Sequence, residues 1–224
     1  MPLLLIRHAQ SINNSLPEDQ RSDDPGLTEI GREQARRLGE RLSAWQPDRL
    51  LTSAFRRTLE TTAAVAEASG VRPEVLVDVH EQGGCQAGPS PEVYQGRPGM
   101  TREQIVNEFG DWTLPEAIDE QGWWKCRGWE RPDEAEVRAR RVASELVSEF
   151  ADRATRVAVV THGMFKPILV SALLGRPFVG NEWLGDLYNT SVSQLGLSAA
   201  GSTLDSYNDT AHLTPQATPE LLTA

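Results

Sequence analysis

Cysteine is scarce in this chain: Cys85 and Cys126 are the only two among 224 residues. They lack CxxC spacing, so the sequence encodes neither a disulfide framework nor a zinc site, and both read as free thiols, a single bridge between them being the other reading. Long apolar runs are missing too. None approaches a membrane span, and the initial "MPLLLI" is too short for the apolar core of a signal peptide and has no basic stretch before it. A cytoplasmic location is expected. Positive charge is in deficit: the net charge of −10 disfavours nucleic acid or an anionic membrane as a partner, because the long-range field repels both. A local arginine cluster can outweigh that field and hold a small anion. Repeats and low-complexity blocks are absent, and a homodimer is left open.

What is present, 39% hydrophobic and 24% charged residues, suits one globular domain spanning 1–224. Leu3–Ile6 reads as a buried strand. In "LTEIGREQARRLGERLSAW", Leu27, Ile30, Leu38, Leu42 and Trp45 fall at helical spacing, with Thr28 as N-cap. "DRLLTS" is a second strand, and Phe55 to Ser69 a helix stopped by Gly70. "PEVLVDVHE" reads as a third strand ending near Glu81. From 82 to 132 the alternation fails in a stretch rich in glycine, proline and tryptophan, an inserted cap-like segment over the substrate. A helix capped by Asp133 follows, then the strand "RVAVVTHG", a helix with Pro167 near its first turn, and the hairpin "NTSVSQLGLS" to "LDSYND". Residues 210–224 read as a loosely packed tail, with His212 exposed. Strands alternating with helices predict a three-layer α/β/α sandwich with a mostly parallel sheet.

In such sheets ligands bind beyond the carboxyl ends of the strands. Arg7 and His8 follow the first strand, Arg57 the second, Glu81 the third and His162 the fourth, so one rim gathers two arginines, two histidines and a carboxylate. That set suits a phosphate monoester. Arg7 and Arg57 match phosphate oxygens with planar forks of donors, Asn14 adds a neutral amide and His162 a further donor. Beside these cations His8 favours its neutral form, a nucleophile able to attack phosphorus. Glu81 is placed to protonate the leaving alkoxide and then to activate water. His80 is a rival for that acid role, although strand alternation turns it to the opposite face. No metal-ligand spacing is visible, and the chemistry asks for no metal and no cofactor.

These residues resemble the histidine phosphatase superfamily, the phosphoglycerate-mutase-like enzymes. "RHAQSINN" is similar to that family's opening motif, "GLTEIGREQARRLGERL" to its next helix, and "LTSAFRRTLETTAAVA" to the segment with its second arginine. "VDVHEQGG" resembles its acid segment, "VVTHGMF" its second histidine segment and "NTSVSQLGL" a later strand. The resemblance implies His8 as nucleophile, Arg7, Arg57, His162 and Asn14 as the phosphate pocket, and Glu81 as proton donor. Ala9 stands where the family usually has glycine. "HEQGGCQAG" lacks the arginine-histidine-tyrosine-glycine run expected in cofactor-dependent mutases, which favours a hydrolase.

The expected activity is that of a metal-independent phosphomonoesterase acting on a small phosphorylated metabolite through a phosphohistidine at His8. The alternatives are a phosphoglycerate-type phosphomutase and a non-catalytic module that binds a phosphate ligand. The leaving group is set by the 82–132 segment. There Arg97, Arg102, Lys125 and Arg127 are candidates to read a second anion, ordinary solvated surface being the other reading. Trp112, Trp123, Trp124 and Trp129 read as packing before recognition.

Overall fold

Strand β1 (Pro2–Arg7) is buried from Leu3 onward, as a strand covered on both faces by helices must be. The computed structural model describes residues 1–151, 153–180, 185, 187–213 and 221–223. Within them β1 joins β2 (Arg49–Thr52), β3 (Pro73–Val75), β6 (Val157–Thr161), β7 (Val192–Gly196) and β8 (Thr203–Asp209) in the order β3-β2-β6-β1-β7-β8. The pairings from β3 to β1 are parallel, and β7 and β8 run antiparallel. The expected α/β sandwich with a mostly parallel sheet is therefore present.

Alternation along β1 divides the core. Leu3 and Leu5 pack with α4 (Pro132–Phe150) and α5 (Phe165–Leu173), while Leu4 and Ile6 pack with α1 (Glu29–Trp45) and α2 (Arg56–Ser69). Thr28 caps α1, its hydroxyl accepting from the Gly31 amide at 3.0 Å, and Gly70 ends α2 at φ 72°. The buried face of α1 differs slightly from expectation. Ile30 points outward, and Gly31 takes the inner position because a Cβ there would lie 2.1 Å from the Gln10 carbonyl oxygen. Helix α1 thus rests directly on the loop that follows the first strand.

Four expectations need correction. The third strand stops at Val75, and Val77–Val79 form a 3-10 turn, because the Val75 amide bonds to Thr113 while that of His80 closes the turn onto Val77. Glu81 thus sits in a loop beyond a turn, not at a strand end. Helix α4 begins at Pro132 with Arg131 as N-cap, not Asp133. Proline at the first helical position has its φ pre-set, and Glu134 accepts from the Arg131 amide at 2.9 Å. The described part of the tail is fixed: Leu213 and Leu221 are buried, and Gln34 Nε2 donates to the Leu221 carbonyl and to Thr223 Oγ1. Residues 214–220 and 224 of the tail lie outside the described residues. His212 is partly buried between Thr190 and Arg41, not exposed.

The segment after Glu81 carries a small core of its own. It contains β4 (Gln86–Ala87) paired with β5 (Gln95–Gly96), and α3 (Arg102–Phe109) capped by Thr101. Met100, Ile105, Ile118, Trp123 and Trp124 pack there on Phe55 and Cys85. Both cysteines are free, Cys85 buried and Cys126 exposed. Among the described residues no helix is long and apolar enough to cross a membrane.

Candidate active site

His8 leaves the end of β1 and is 3% exposed. Its Nδ1 lies 2.7 Å from the Ala9 carbonyl and its Nε2 accepts from Arg57 Nε at 3.2 Å. A carbonyl only accepts, so Nδ1 holds the proton and Nε2 the lone pair. Burial above all, then the charges of Arg57 and Arg7, pushes the His8 pKa well below its ordinary value. The imidazole is neutral at physiological pH and its free pair faces an arginine.

The backbone around it is held from several sides. The Ala9 amide donates to Thr61 Oγ1 at 3.0 Å, the Gln10 amide to Gln34 Oε1 at 2.8 Å, and Asn189 Nδ2 to the His8 carbonyl at 3.1 Å. Asn189 heads the "NTSVSQLGL" segment, and that position just before an apolar strand was the available signal. Arg7 donates to the Leu187 carbonyl, and a Cβ on Gly163 would lie 3.2 Å from Arg7 Nε. The absence of a side chain there leaves room for the guanidinium.

Arg57 stands in the first turn of α2, its guanidinium 4.0 Å over the Phe55 ring. Burial lowers its pKa, and the carboxyls of Asp24 and Glu81 oppose that. Asp24, which the sequence reading passed over, accepts from the Arg56 amide at 2.8 Å. Its other oxygen is buried without a partner among the described residues, and burial raises its pKa to about 7. The only signal was its place in "DDPG" before the α1 cap.

His162 follows β6, its ring 5.2 Å from that of His8. Its Nε2 meets Ser53 Oγ at 2.8 Å, and its Nδ1 is buried with no hydrogen-bond partner among the described residues. Burial and neighbouring positive groups, Arg57 first, lower its pKa well below the ordinary value. A buried orphan nitrogen is costly unless something arrives to meet it.

Glu81 is anchored at the start of α5: Oε1 accepts from the amides of Gln82, Met164 and Phe165 at 3.0, 3.2 and 3.0 Å. Its loop is tied down by Thr161 Oγ1 on the Val79 carbonyl and by Arg138 Nη1 on the carbonyls of Asp78 and His80. His80 is buried against Trp123 and Trp124. Asn14 Oδ1 accepts from the amide and hydroxyl of Ser11, which leaves Nδ2 outside those bonds.

A cavity of about 410 Å³ opens beside Arg57, between Asn13, Asp23, Phe55, Gln82, Trp129 and Met164. None of Arg97, Arg102, Lys125 and Arg127 lines it. Arg102 is bonded to the carbonyls of Ile118 and Pro115, Lys125 to Asp119, and Arg127 lies over Trp124, with Arg97 exposed. The structure gathers Arg7, His8, Arg57 and His162, sets Glu81 at the edge, and leaves those four basic residues elsewhere. No three of His, Cys, Asp and Glu gather into a metal-binding group among the described residues.

Known proteins share this arrangement's frame. The family model of the Histidine phosphatase superfamily (branch 1) matches residues 3–210. A glucosyl-3-phosphoglycerate phosphatase of Mycobacterium tuberculosis is 31% identical over 212 residues, 91% of this chain and 89% of that protein. A probable phosphoglycerate mutase of Yersinia enterocolitica is 27% identical over 234 residues, 99% of each chain. Among solved structures, a mycobacterial glucosyl-3-phosphoglycerate phosphatase in complex with VO3 superposes with a TM-score of 0.65 at 26% identity, covering 93% of this chain and 99% of that one.

Proposed function

Since this chain belongs to the histidine phosphatase superfamily, we propose that it hydrolyses a small phosphate monoester through a phosphohistidine at His8, without a metal. The observation that carries this reading is the locked tautomer of His8, with Nδ1 on a carbonyl and Nε2 turned to Arg57. The entering phosphate takes over the Arg57 donor and so frees the Nε2 pair. Nε2 attacks phosphorus, the N–P bond forms and the ester P–O bond breaks. Glu81 gives its proton to the departing alkoxide. It then takes one from a water that attacks phosphorus, and the N–P bond breaks to release inorganic phosphate and neutral His8. Arg7, Arg57 and Asn14 hold the equatorial oxygens, and His162, with its unmet Nδ1, supplies a further donor. The 82–131 segment caps the site and admits the leaving group.

The experiment is phosphate release from a panel of monoesters in excess chelator, with an alkaline denaturing quench to trap the phosphoenzyme, whose N–P bond survives base and is cleaved by acid. Labelled phosphate on wild type and none on His8→Ala is the expected result; label that survives in the variant would remove His8 from the mechanism. Phosphoryl transfer to a second hydroxyl is the other reading, favoured by the relative named as a phosphoglycerate mutase. It predicts phosphorylated acceptor in place of free phosphate.

A further inference from the structure

The cavity beside Arg57 has a one-sided chemistry. Apart from Arg57, its only basic wall residue among the described residues is Arg21. That side chain is already engaged: Nε donates to the carbonyls of Asn13 and Leu16, and Nη1 pairs with Glu18 at 3.6 Å. The amides of the wall present acceptors. Gln82 Nε2 donates to the Glu130 carbonyl at 2.8 Å, and Gln86 Nε2 to those of Gly83 and Arg127 at 3.2 and 3.1 Å. Each amide therefore keeps its nitrogen on the protein, and Gln86 Oε1 finds no donor in the described chain. The carboxylates of Glu18 and Asp23 complete a wall that accepts hydrogen bonds and carries negative charge.

Two rings also line the cavity. Trp129 lies over Gly83, where a Cβ would come within 2.8 Å of its Nε1, and Tyr94 packs beside Gly88. Both line the cavity while staying partly exposed. Flat rings beside acceptor groups suit a molecule with hydroxyls on its edges and C–H bonds on its face.

We propose that the leaving group taken here is neutral and rich in hydroxyls, a sugar or polyol, whose hydroxyls donate to Asp23, Gln82 and Gln86 while its C–H face rests on Tyr94 and Trp129. A carboxylate or second phosphate on the leaving group meets the carboxylates of Glu18 and Asp23, with Arg21 already paired to Glu18, and is selected against. This rests on the phosphatase reading above, and it replaces the second-anion role considered for Arg97, Arg102, Lys125 and Arg127.

Glycerol 3-phosphate and 3-phosphoglycerate test it cleanly, because they differ at one end by a hydroxymethyl group against a carboxylate. The ratio of their kcat/KM values should favour glycerol 3-phosphate by about tenfold or more at low salt, narrow at high salt, and narrow again in Asp23→Asn, as expected for repulsion from partly exposed carboxylates. A ratio of one or below in wild type, with both esters hydrolysed, overturns the inference and leaves the phosphatase standing. No release from either ester or from p-nitrophenyl phosphate overturns the phosphatase reading, and the inference with it.

Discussion

The strand-end rim and the 82–131 segment are built from the same basic and aromatic residues and put them to opposite use. In the segment the charges close on the protein: Arg102 on three carbonyls of the 114–118 stretch, Lys125 on Asp119. Its paired tryptophans bury themselves against His80 and Phe55. At the rim Arg57 is aimed at an imidazole instead of a carboxylate, and His162 keeps a buried nitrogen unmet. A side chain bonded within its own loop reinforces that loop, whereas one held by second-rank partners short of its full complement is ready for a ligand. The difference lies in what stands opposite each residue, which composition alone does not report.

The largest effect should come from removing the nucleophile. His8→Ala is expected to cut phosphate release by about a thousandfold or more, read by single-turnover kinetics. Arg57→Ala should lower kcat/KM by about a hundredfold or more. Arg57→Lys should recover little of it, because an ammonium cannot reproduce the planar fork. The same Arg57→Ala variant should move the acidic limb of the pH–rate profile upward. Arg57 is one of the groups that lower the His8 pKa, so its loss lets His8 protonate at higher pH. An unmoved limb would separate Arg57 from the nucleophile.

On the side of structure, Arg138 is the residue whose loss should unfold most. It is 6% exposed in its side chain, pairs with Glu130 at 2.6 Å and lies over Phe165. Arg138→Met leaves Glu130 and two loop carbonyls unmet and should cost about 3–5 kcal/mol by denaturant titration. Acidification tests the rim and the segment together. All four histidines are held below their ordinary pKa, His212 at about 4. The unfolded chain binds those protons as pH falls through about 6.5, while the fold resists, so stability is full above that pH and declines below it. Asp24, raised to about 7, works the other way as one group against four. Calorimetry at successive pH values should show Tm falling from neutral toward pH 5, and a constant Tm would contradict the burial of these rings. The smallest effect belongs to Lys125→Met, which breaks a solvent-screened pair and should leave turnover of a neutral ester within about twofold.

Much of this was legible in the sequence, and the reasons are local. β1, β6 and the α1 and α2 caps announce themselves because period and punctuation agree in them. The rim followed from one rule, that functional groups lie beyond parallel strand ends, and it located Arg7, His8, Arg57 and His162. Glu81 was found for a partly mistaken reason, since its strand gives way to a turn held by Thr161 and Arg138, residues far away in sequence. Asp24, Gln34 and Asn189 were passed over because their work is to hold backbone groups, and a hydrogen bond to a distant main chain leaves no mark on spacing. The four basic residues of the segment stayed between anion reading and ordinary surface for the complementary reason: charge can be counted in a sequence, but the carbonyls that absorb it cannot.

The pairing of β1 has a consequence for how the molecule comes together. Leu3 to Arg7 pair with Val157 to Thr161 on one side, and Pro2 to Ile6 with Val192 to Gly196 on the other. The strand that carries the nucleophile therefore has no partner until the last third of the chain is in place, and closing so long a loop costs entropy before any contact returns it. Folding should be slow for a chain of this length, and the apolar Leu3–Ile6 run must wait uncovered in the meantime, a hazard for aggregation. The same order governs when the site forms. Because β6 lies between β2 and β1, the strand before Arg57 and the strand before His8 are not held in place until β6 has entered the sheet.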